Sequence, residues 1–125
     1  MAPRSVRLCH LDDLPDGDSR GFDPFRVGQD MLLVVRQGRE LYAWLNSCPH
    51  IVGTPMAWRK NAFLNSARDR IVCSAHGALF DIVSGRCDLG PCLGQSLTSL
   101  RVTLAGDAAI YLELDESTAK ALAAP

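Results

Sequence analysis

The sequence lacks a large excess of charge of either sign, and it lacks long apolar runs. Its 13 Lys and Arg against 14 Asp and Glu give a formal net charge of -1 at pH 7, which gives no reason to expect nucleic acid as a partner. No apolar run approaches the roughly 18 residues that a membrane-spanning helix needs. Residues 1–7 also lack the apolar stretch of a secretory signal. We therefore expect a cytoplasmic protein without a membrane anchor.

Internal repeats and linker-like segments are also lacking. The chain of 125 residues has the length of one domain with a modest core. Hydrophobic residues make up 47% of it and charged residues 22%, as in ordinary globular proteins. We expect one domain over residues 1–125.

Histidine is scarce, and two of the three histidines stand beside cysteines in short motifs. Cys48-Pro49-His50 and Cys73-Ser74-Ala75-His76 together offer two thiolates and two imidazoles to a metal. Thiolate suits zinc and iron-sulfur clusters, and imidazole suits zinc, iron and copper. Zinc and a [2Fe-2S] cluster with two histidine ligands are therefore the candidates.

The spacing of the motifs separates these two candidates. Structural zinc fingers usually pair their cysteines as C-x2-4-C and their histidines as H-x3-5-H. Here each motif carries one Cys and one His, so two matching loops can present two Cys to one iron and two His to the other. A zinc-stabilised interaction module remains the less favoured alternative.

The sequence around these motifs resembles the small Rieske ferredoxins over most of the chain, from about Met31 to Leu114. The shared features include both ligand motifs in order, Gly77 directly after the second motif, and Gly90-Pro91. In that family a proline loop covers the cluster, and Gly90-Pro91 resembles it.

The resemblance implies an all-β Rieske iron-sulfur fold, with antiparallel sheets and a cluster-binding subdomain. Its ligand loops would lie at about 48–53 and 73–78, and its covering loop at about 90–94. By resemblance, Cys48 and Cys73 bind the inner iron of one [2Fe-2S] cluster, and His50 and His76 bind the outer iron. No catalytic residue is expected.

The function that the resemblance implies is to carry one electron from a flavin-dependent reductase to an oxygenase. A small redox subunit of a larger reductase, such as nitrite reductase, is the alternative. A catalytic Rieske oxygenase is excluded, because the chain has no second domain and no spare triad of two histidines and a carboxylate. We expect a monomer or a weak oligomer.

The ligand set also bears on the redox potential. Two neutral imidazoles in place of two thiolates make an electron easier to accept. Rieske centres accordingly span about -150 to +300 mV, against about -400 mV for plant-type clusters. Higher-potential relatives carry a Ser hydroxyl where this chain has Ala78. We therefore expect a potential in the lower part of the range.

Three cysteines remain outside the ligand motifs: Cys9, Cys87 and Cys92. In a reducing compartment they are expected to be free thiols. Cys87 and Cys92 are close enough in sequence to form a bridge, but buried small hydrophobes are the favoured interpretation.

Alternating apolar residues predict the strands of the fold. A hairpin of Met31–Arg36 and Glu40–Leu45 leads into Cys48, with Tyr42 and Trp44 on one face of its second strand. The acidic segment 11–23 is expected to be a solvated loop with up to one helical turn, and the tail from 115 to 125 a marginal helix. Further strands are predicted at Val6–His10, Arg70–Ser74, Ala78–Asp81, Ser96–Leu104 and Ala109–Leu114.

Overall fold

The computed structural model describes residues 4–49, 56, 61–73 and 77–123. A 3-10 turn at Leu11–Asp13 follows the first strand, and the helix α1 (Glu116–Ala123) follows the last. The strands are β1 (Arg4–His10), β2 (Ser19–Phe22), β3 (Leu32–Gln37), β4 (Glu40–Leu45), β5 (Arg70–Cys73), β6 (Ala78–Asp81), β7 (Cys87–Leu89), β8 (Ser99–Leu100), β9 (Val102–Leu104) and β10 (Ala109–Leu114).

Within these ranges the strands form three antiparallel sheets, which confirms the predicted all-β class. The central sheet has the order β2-β3-β4-β8. A second sheet, β1-β10-β9, contains the first and last strands, and a third, β5-β6-β7, carries the residues around the second cysteine motif.

The central sheet separates two apolar cores. Core A contains Leu33, Val35, Trp44, Cys48, Met56, Phe63, Ile71, Cys73, Ala78, Phe80, Ile82, Cys87, Cys92 and Leu97. Core B contains Cys9, Leu11, Leu14, Phe22, Leu32, Val34, Ala43, Leu100, Ile110 and Leu112.

The side chains of β3 and β4 alternate between the two cores. Leu33 and Val35 point to core A, whereas Leu32 and Val34 point to core B, and all four are at most 1% exposed. This explains why β3 is apolar at consecutive positions. On β4, Tyr42 and Trp44 pack in or against core A, whereas Leu41, Ala43 and Leu45 belong to core B, as the period of two predicts.

The third sheet is fastened to the central sheet through Trp44. The indole Nε1 of Trp44 donates a hydrogen bond to the carbonyl of Ile82 at 3.2 Å, in the turn after β6. The ring also lies against Gly85 of the same turn, where φ is +73° and a Cβ would come within 2.5 Å of the indole. Only a glycine satisfies both conditions without movement.

The fold differs from the sequence prediction in several places, and the short strand β7 was not predicted. The strand predicted at Ser96–Leu104 is wrong as a single strand, because β8 pairs with β4 whereas β9 pairs with β10. The chain changes sheets at Arg101, whose N–H donates to the Thr118 hydroxyl at 3.2 Å and whose carbonyl accepts from Glu113 N–H at 2.9 Å. The segment 11–23, predicted to be a loop, contains β2, which pairs with β3 from Ser19 to Phe22.

The predicted C-terminal helix is present as α1. The Asp115 carboxylate accepts a hydrogen bond from Thr118 N–H at 2.8 Å and caps the helix, while Thr118 itself is 2% exposed. Ala121 and Leu122 pack against core B. In the part of the chain that the structure describes, no helix has the length and apolarity needed to cross a bilayer.

Gly85→Ala should cost much more stability than Gly38→Ala. Both glycines have positive φ, +73° and +67°, but a Cβ at Gly38 meets nothing within 4 Å. Gly38→Ala should therefore cost only backbone strain, about 1–2 kcal/mol. Gly85→Ala adds a clash with the Trp44 ring, which typically costs about 1–3 kcal/mol more.

Urea unfolding of the two variants beside the unchanged chain measures the difference. Equal losses of unfolding free energy would contradict the role of Trp44 as the contact that joins the central sheet to the sheet β5-β6-β7.

Candidate metal centre

Cys48 lies just beyond the end of β4, in a segment fixed by backbone hydrogen bonds. Asn46 N–H donates to Met31 O and Ser47 N–H donates to Leu45 O, both at 2.9 Å. The Cys48 side chain is 1% exposed and belongs to core A. The first predicted ligand is therefore a buried thiol on a well-anchored segment.

Asn46 is a supporting residue that the sequence analysis missed. Its side-chain amide donates to the Asp30 carbonyl at 3.0 Å, and its side-chain oxygen accepts from Met56 N–H at 2.9 Å. Met56 is fully buried and lies on the far side of the first ligand motif. Asn46 thus links the segment just before Cys48 to Met56. The only signal in the sequence is an amide side chain directly after a buried strand.

Cys73 is the last residue of β5 and pairs with Ala78, the first residue of β6. Gly77 N–H donates to Cys73 O at 2.8 Å. Gly77 has a φ of +72°, in the left-handed region that favours glycine, which explains why a glycine follows the second motif. Cys73 is fully buried in core A, so the second predicted ligand thiol also starts from a paired strand end.

The structure brings Cys48 and Cys73 into the same apolar core. His50 and His76, predicted to bind the outer iron, lie outside the described residues. Two buried sulfurs in one core suit the chemistry expected of an inner iron, because a thiolate needs a nearby positive metal to offset its loss of water. The donor set that is described therefore fits the inner half of a [2Fe-2S] site.

The predicted covering loop at 90–94 lies against the strand that follows the second ligand loop. Gly90 has a φ of +109°, and a Cβ built on it would stand 2.8 Å from the Cα of Ala78. The backbones of the two segments are in close contact as a result. Whether residues 90–94 cover a cluster stays a prediction.

Cys9, Cys87 and Cys92 are free and buried, as the sequence analysis predicted. Cys9 belongs to core B, whereas Cys87 and Cys92 belong to core A. The Cys92 thiol donates to the Cys87 sulfur at 3.2 Å. Burial raises the pKa of Cys92 to about 12, and the neighbouring thiols of Cys87 and then Cys48 add to the effect.

Polar contacts support the sheet β5-β6-β7 at its surface. The Arg70 guanidinium on β5 contacts the Asp88 carboxylate on β7 at 2.6 Å. The Asp81 carboxylate accepts a hydrogen bond from Ser84 N–H at 2.7 Å in the turn after β6. Hydrogen bonds from the backbone and side chain of Ser84 lower the pKa of Asp81, with a smaller contribution from Arg70.

Gly90→Ala should loosen the loop at 90–94 more than Gly94→Ala does. Gly94 has a φ of +91° but meets nothing within 4 Å, so it serves as the matched control for backbone strain. The added methyl at position 90 must move the loop away from Ala78. A steric cost of about 1–3 kcal/mol corresponds to a rise in loop opening of roughly 5-fold to 150-fold.

The rate at which maleimide labels Cys92 in the folded protein measures that opening. Labelling equally fast in both variants would show that the contact between Gly90 and Ala78 does not hold the loop.

Comparison with known proteins places this arrangement in a family. The family model of the Rieske [2Fe-2S] domain matches residues 4–109. Apoptosis-inducing factor 3 of Mus musculus is 33% identical over 78 residues, which is 62% of this chain and 11% of that protein. The Homo sapiens protein of the same name gives the same figures. The chain thus spans about a tenth of the length of the curated relatives it matches.

Solved structures share the fold over nearly the whole chain. The ferredoxin of carbazole 1,9a-dioxygenase from Nocardioides aromaticivorans IC177 superimposes with a TM-score of 0.67 at 26% identity, covering 92% of this chain and 100% of that one. A chain in the complex of reduced oxygenase and oxidised ferredoxin in carbazole 1,9a-dioxygenase has a TM-score of 0.67 at 24% identity, covering 89% and 94%, which shows the fold. The chain belongs to the Rieske [2Fe-2S] domain family, which implies a [2Fe-2S] cluster as its cofactor.

Proposed function

We propose that this chain carries single electrons from a flavin-dependent reductase to an oxygenase component. The observation that carries the proposal is the pair of thiols, Cys48 and Cys73, buried in one core at the ends of β4 and β5. The structural match to the ferredoxin of carbazole 1,9a-dioxygenase, which extends over the whole of that ferredoxin, supports the proposal.

The proposed ligands are Cys48 and Cys73 for the inner iron and His50 and His76 for the outer iron. Bound there, the cluster supplies a one-electron redox centre. The described residues supply its surroundings. Core A keeps water from the two sulfurs, and the paired ends of β5 and β6 hold Cys73 in a fixed position. Such preorganised ligands limit structural change when the charge changes.

The proposed domain spans residues 1–125, with ligand loops at 48–53 and 73–78 and a covering loop at 90–94. Around that loop the structure exposes apolar surface. Leu89 is 59% exposed and Leu93 is 67% exposed, and Pro91 is exposed as well. A small apolar surface beside a redox centre suits a brief encounter that buries less than about 1,200 Å². We assign docking of the electron acceptor to this surface.

The two partners have unequal support. The matching structures include a ferredoxin of carbazole 1,9a-dioxygenase and a complex of oxygenase and ferredoxin in carbazole 1,9a-dioxygenase, which supports an oxygenase acceptor for this chain. The flavin-dependent donor rests on the sequence resemblance, and the cytoplasmic location and the monomeric or weakly oligomeric state stay predictions.

A second candidate is a redox component of a larger assembly, such as a reductase subunit. The specific observation in its favour is that the matching region forms only 11% of the mouse and human relatives, so related domains also occur inside longer proteins. Purification separates the candidates. A free carrier elutes alone, whereas a subunit elutes in fixed ratio with a large partner.

The direct test of the proposed function is a reconstituted electron chain. A flavin reductase supplied with a nicotinamide should bleach the visible spectrum of this protein, and adding a Rieske oxygenase with its substrate should restore the colour. If no reductase bleaches a protein that dithionite does bleach, the proposed donor class is wrong. Failure of the second step rejects the acceptor instead.

Cys48→Ala should abolish cluster assembly, because the inner iron loses one of its two thiolates. His50→Cys and His76→Cys should keep iron but lower the midpoint potential, since each adds a negative charge. Iron and sulfide analysis, with paramagnetic resonance of the reduced protein, measures both effects. Cys9→Ala is the matched control, because Cys9 lies in core B. A normal iron and sulfide content in Cys48→Ala would contradict the ligand assignment.

The midpoint potential should fall as the pH rises through the alkaline range. Ferric iron lowers the pKa of the free ring nitrogen of a bound imidazole, and reduction raises it, so proton binding favours the reduced protein. Voltammetry from neutral to strongly alkaline pH measures the slope. A flat profile would count against solvent-exposed His50 and His76 as ligands.

A further inference from the structure

The segment from Asp88 to Ser96 buries a single side chain, that of Cys92. From Asp88 to Ser96 every residue except Cys92 is exposed. Cys92 is 1% exposed and makes its hydrogen bond to the Cys87 sulfur. The contact between the two thiols therefore holds the buried side of this loop in core A, in addition to the contact of Gly90 with Ala78 and the ion pair of Arg70 with Asp88.

The backbone already holds the two cysteines beside each other. Cys87 N–H donates to Gln95 O, and Gln95 N–H donates to Cys92 O, both at 2.8 Å. Gly90 and Gly94 have positive φ on either side of Cys92, so the loop can adjust at both ends. Sulfurs 3.2 Å apart need to approach by only about 1 Å to reach disulfide bonding distance.

We propose that Cys87 and Cys92 form a reversible redox pair that closes to a disulfide when the thiol pool becomes oxidised. The oxidant class is a low-molecular-weight disulfide such as oxidised glutathione. One thiolate attacks it, its S–S bond breaks, and a mixed disulfide forms with release of one small thiol. The second cysteine then attacks the mixed disulfide and releases the other small thiol. Both cysteine protons end on the two small thiols, and two electrons pass to the oxidant.

The other cysteines are placed differently. Cys9 lies in core B, across the central sheet. Cys48 and Cys73 are the proposed iron ligands, and metal-bound thiolates are not available for exchange. The Cys87–Cys92 pair thus provides a thiol chemistry separate from electron transfer. A disulfide would join the loop at 90–94 to core A covalently. In the dithiol form the two sulfurs are joined only by a hydrogen bond.

The test uses the purified protein with its cluster, equilibrated against glutathione buffers of increasing oxidised fraction. The protein is then denatured with an alkylating reagent and digested with trypsin. Cleavage after Arg86 and Arg101 places both cysteines in one peptide, 87–101, whereas Cys48 falls in another. We expect that peptide to lose both alkylation sites and to have a mass lower by two hydrogens, and dithiothreitol should reverse the change.

Cys92→Ala should abolish the change, and Cys9→Ala, the matched control, should retain it. Exchange of the backbone amides of Leu93 and Gln95 should slow by about tenfold or more in the disulfide form. Full alkylation of both cysteines at every buffer ratio would overturn the proposal. So would separate glutathione adducts, or a bridge between Cys92 and Cys48.

A shift in midpoint potential between the dithiol and disulfide forms is a further readout, and this one rests on the proposed function. The peptide masses do not depend on it. A protein that forms the disulfide but transfers no electrons would refute the electron-carrier proposal alone.

Discussion

The arrangement of the candidate metal centre depends on the two-sided burial of the β3–β4 hairpin. The buried run of β3 ends at Arg36, so a shift that moved the strand one residue further in would carry a charged side chain into a core. Leu33 and Val35 on one face and Leu32 and Val34 on the other fix this hairpin between the two cores. Cys48 follows directly from its end, and Trp44 reaches from it to the sheet that carries Cys73. The relative position of both thiols is thus set by one buried element.

Structural features that follow from neighbouring residues could be predicted from the sequence. Features that depend on residues far away in the chain could not. The period of two assigned the faces of Tyr42 and Trp44, because alternation is a property of any strand. The sheet change at Arg101 depends on Thr118 and Glu113, which no local pattern connects to it. The strand β2 was not predicted for the same reason. Its pairing with β3 stabilises an extended conformation despite the turn-forming residues around it.

The candidate metal centre shows the same difference between local and distant causes. The motif spacing pointed to Cys48 and Cys73, and the structure shows that both are buried in one core. Asn46 was missed because its two partners, Asp30 and Met56, are 16 and 10 residues away. The sequence shows that Cys87 and Cys92 are close along the chain, but spacing alone does not decide whether two such side chains point at each other.

The division into two cores has a consequence for how such a domain can be built into other proteins. The strand β1 and the helix α1 both pack on core B, whereas the two thiols lie in core A on the opposite face of the central sheet. A fusion joined to either of these elements would attach behind the sheet and leave the face that carries the two thiols open. Longer proteins could therefore incorporate the domain without covering Cys48 and Cys73.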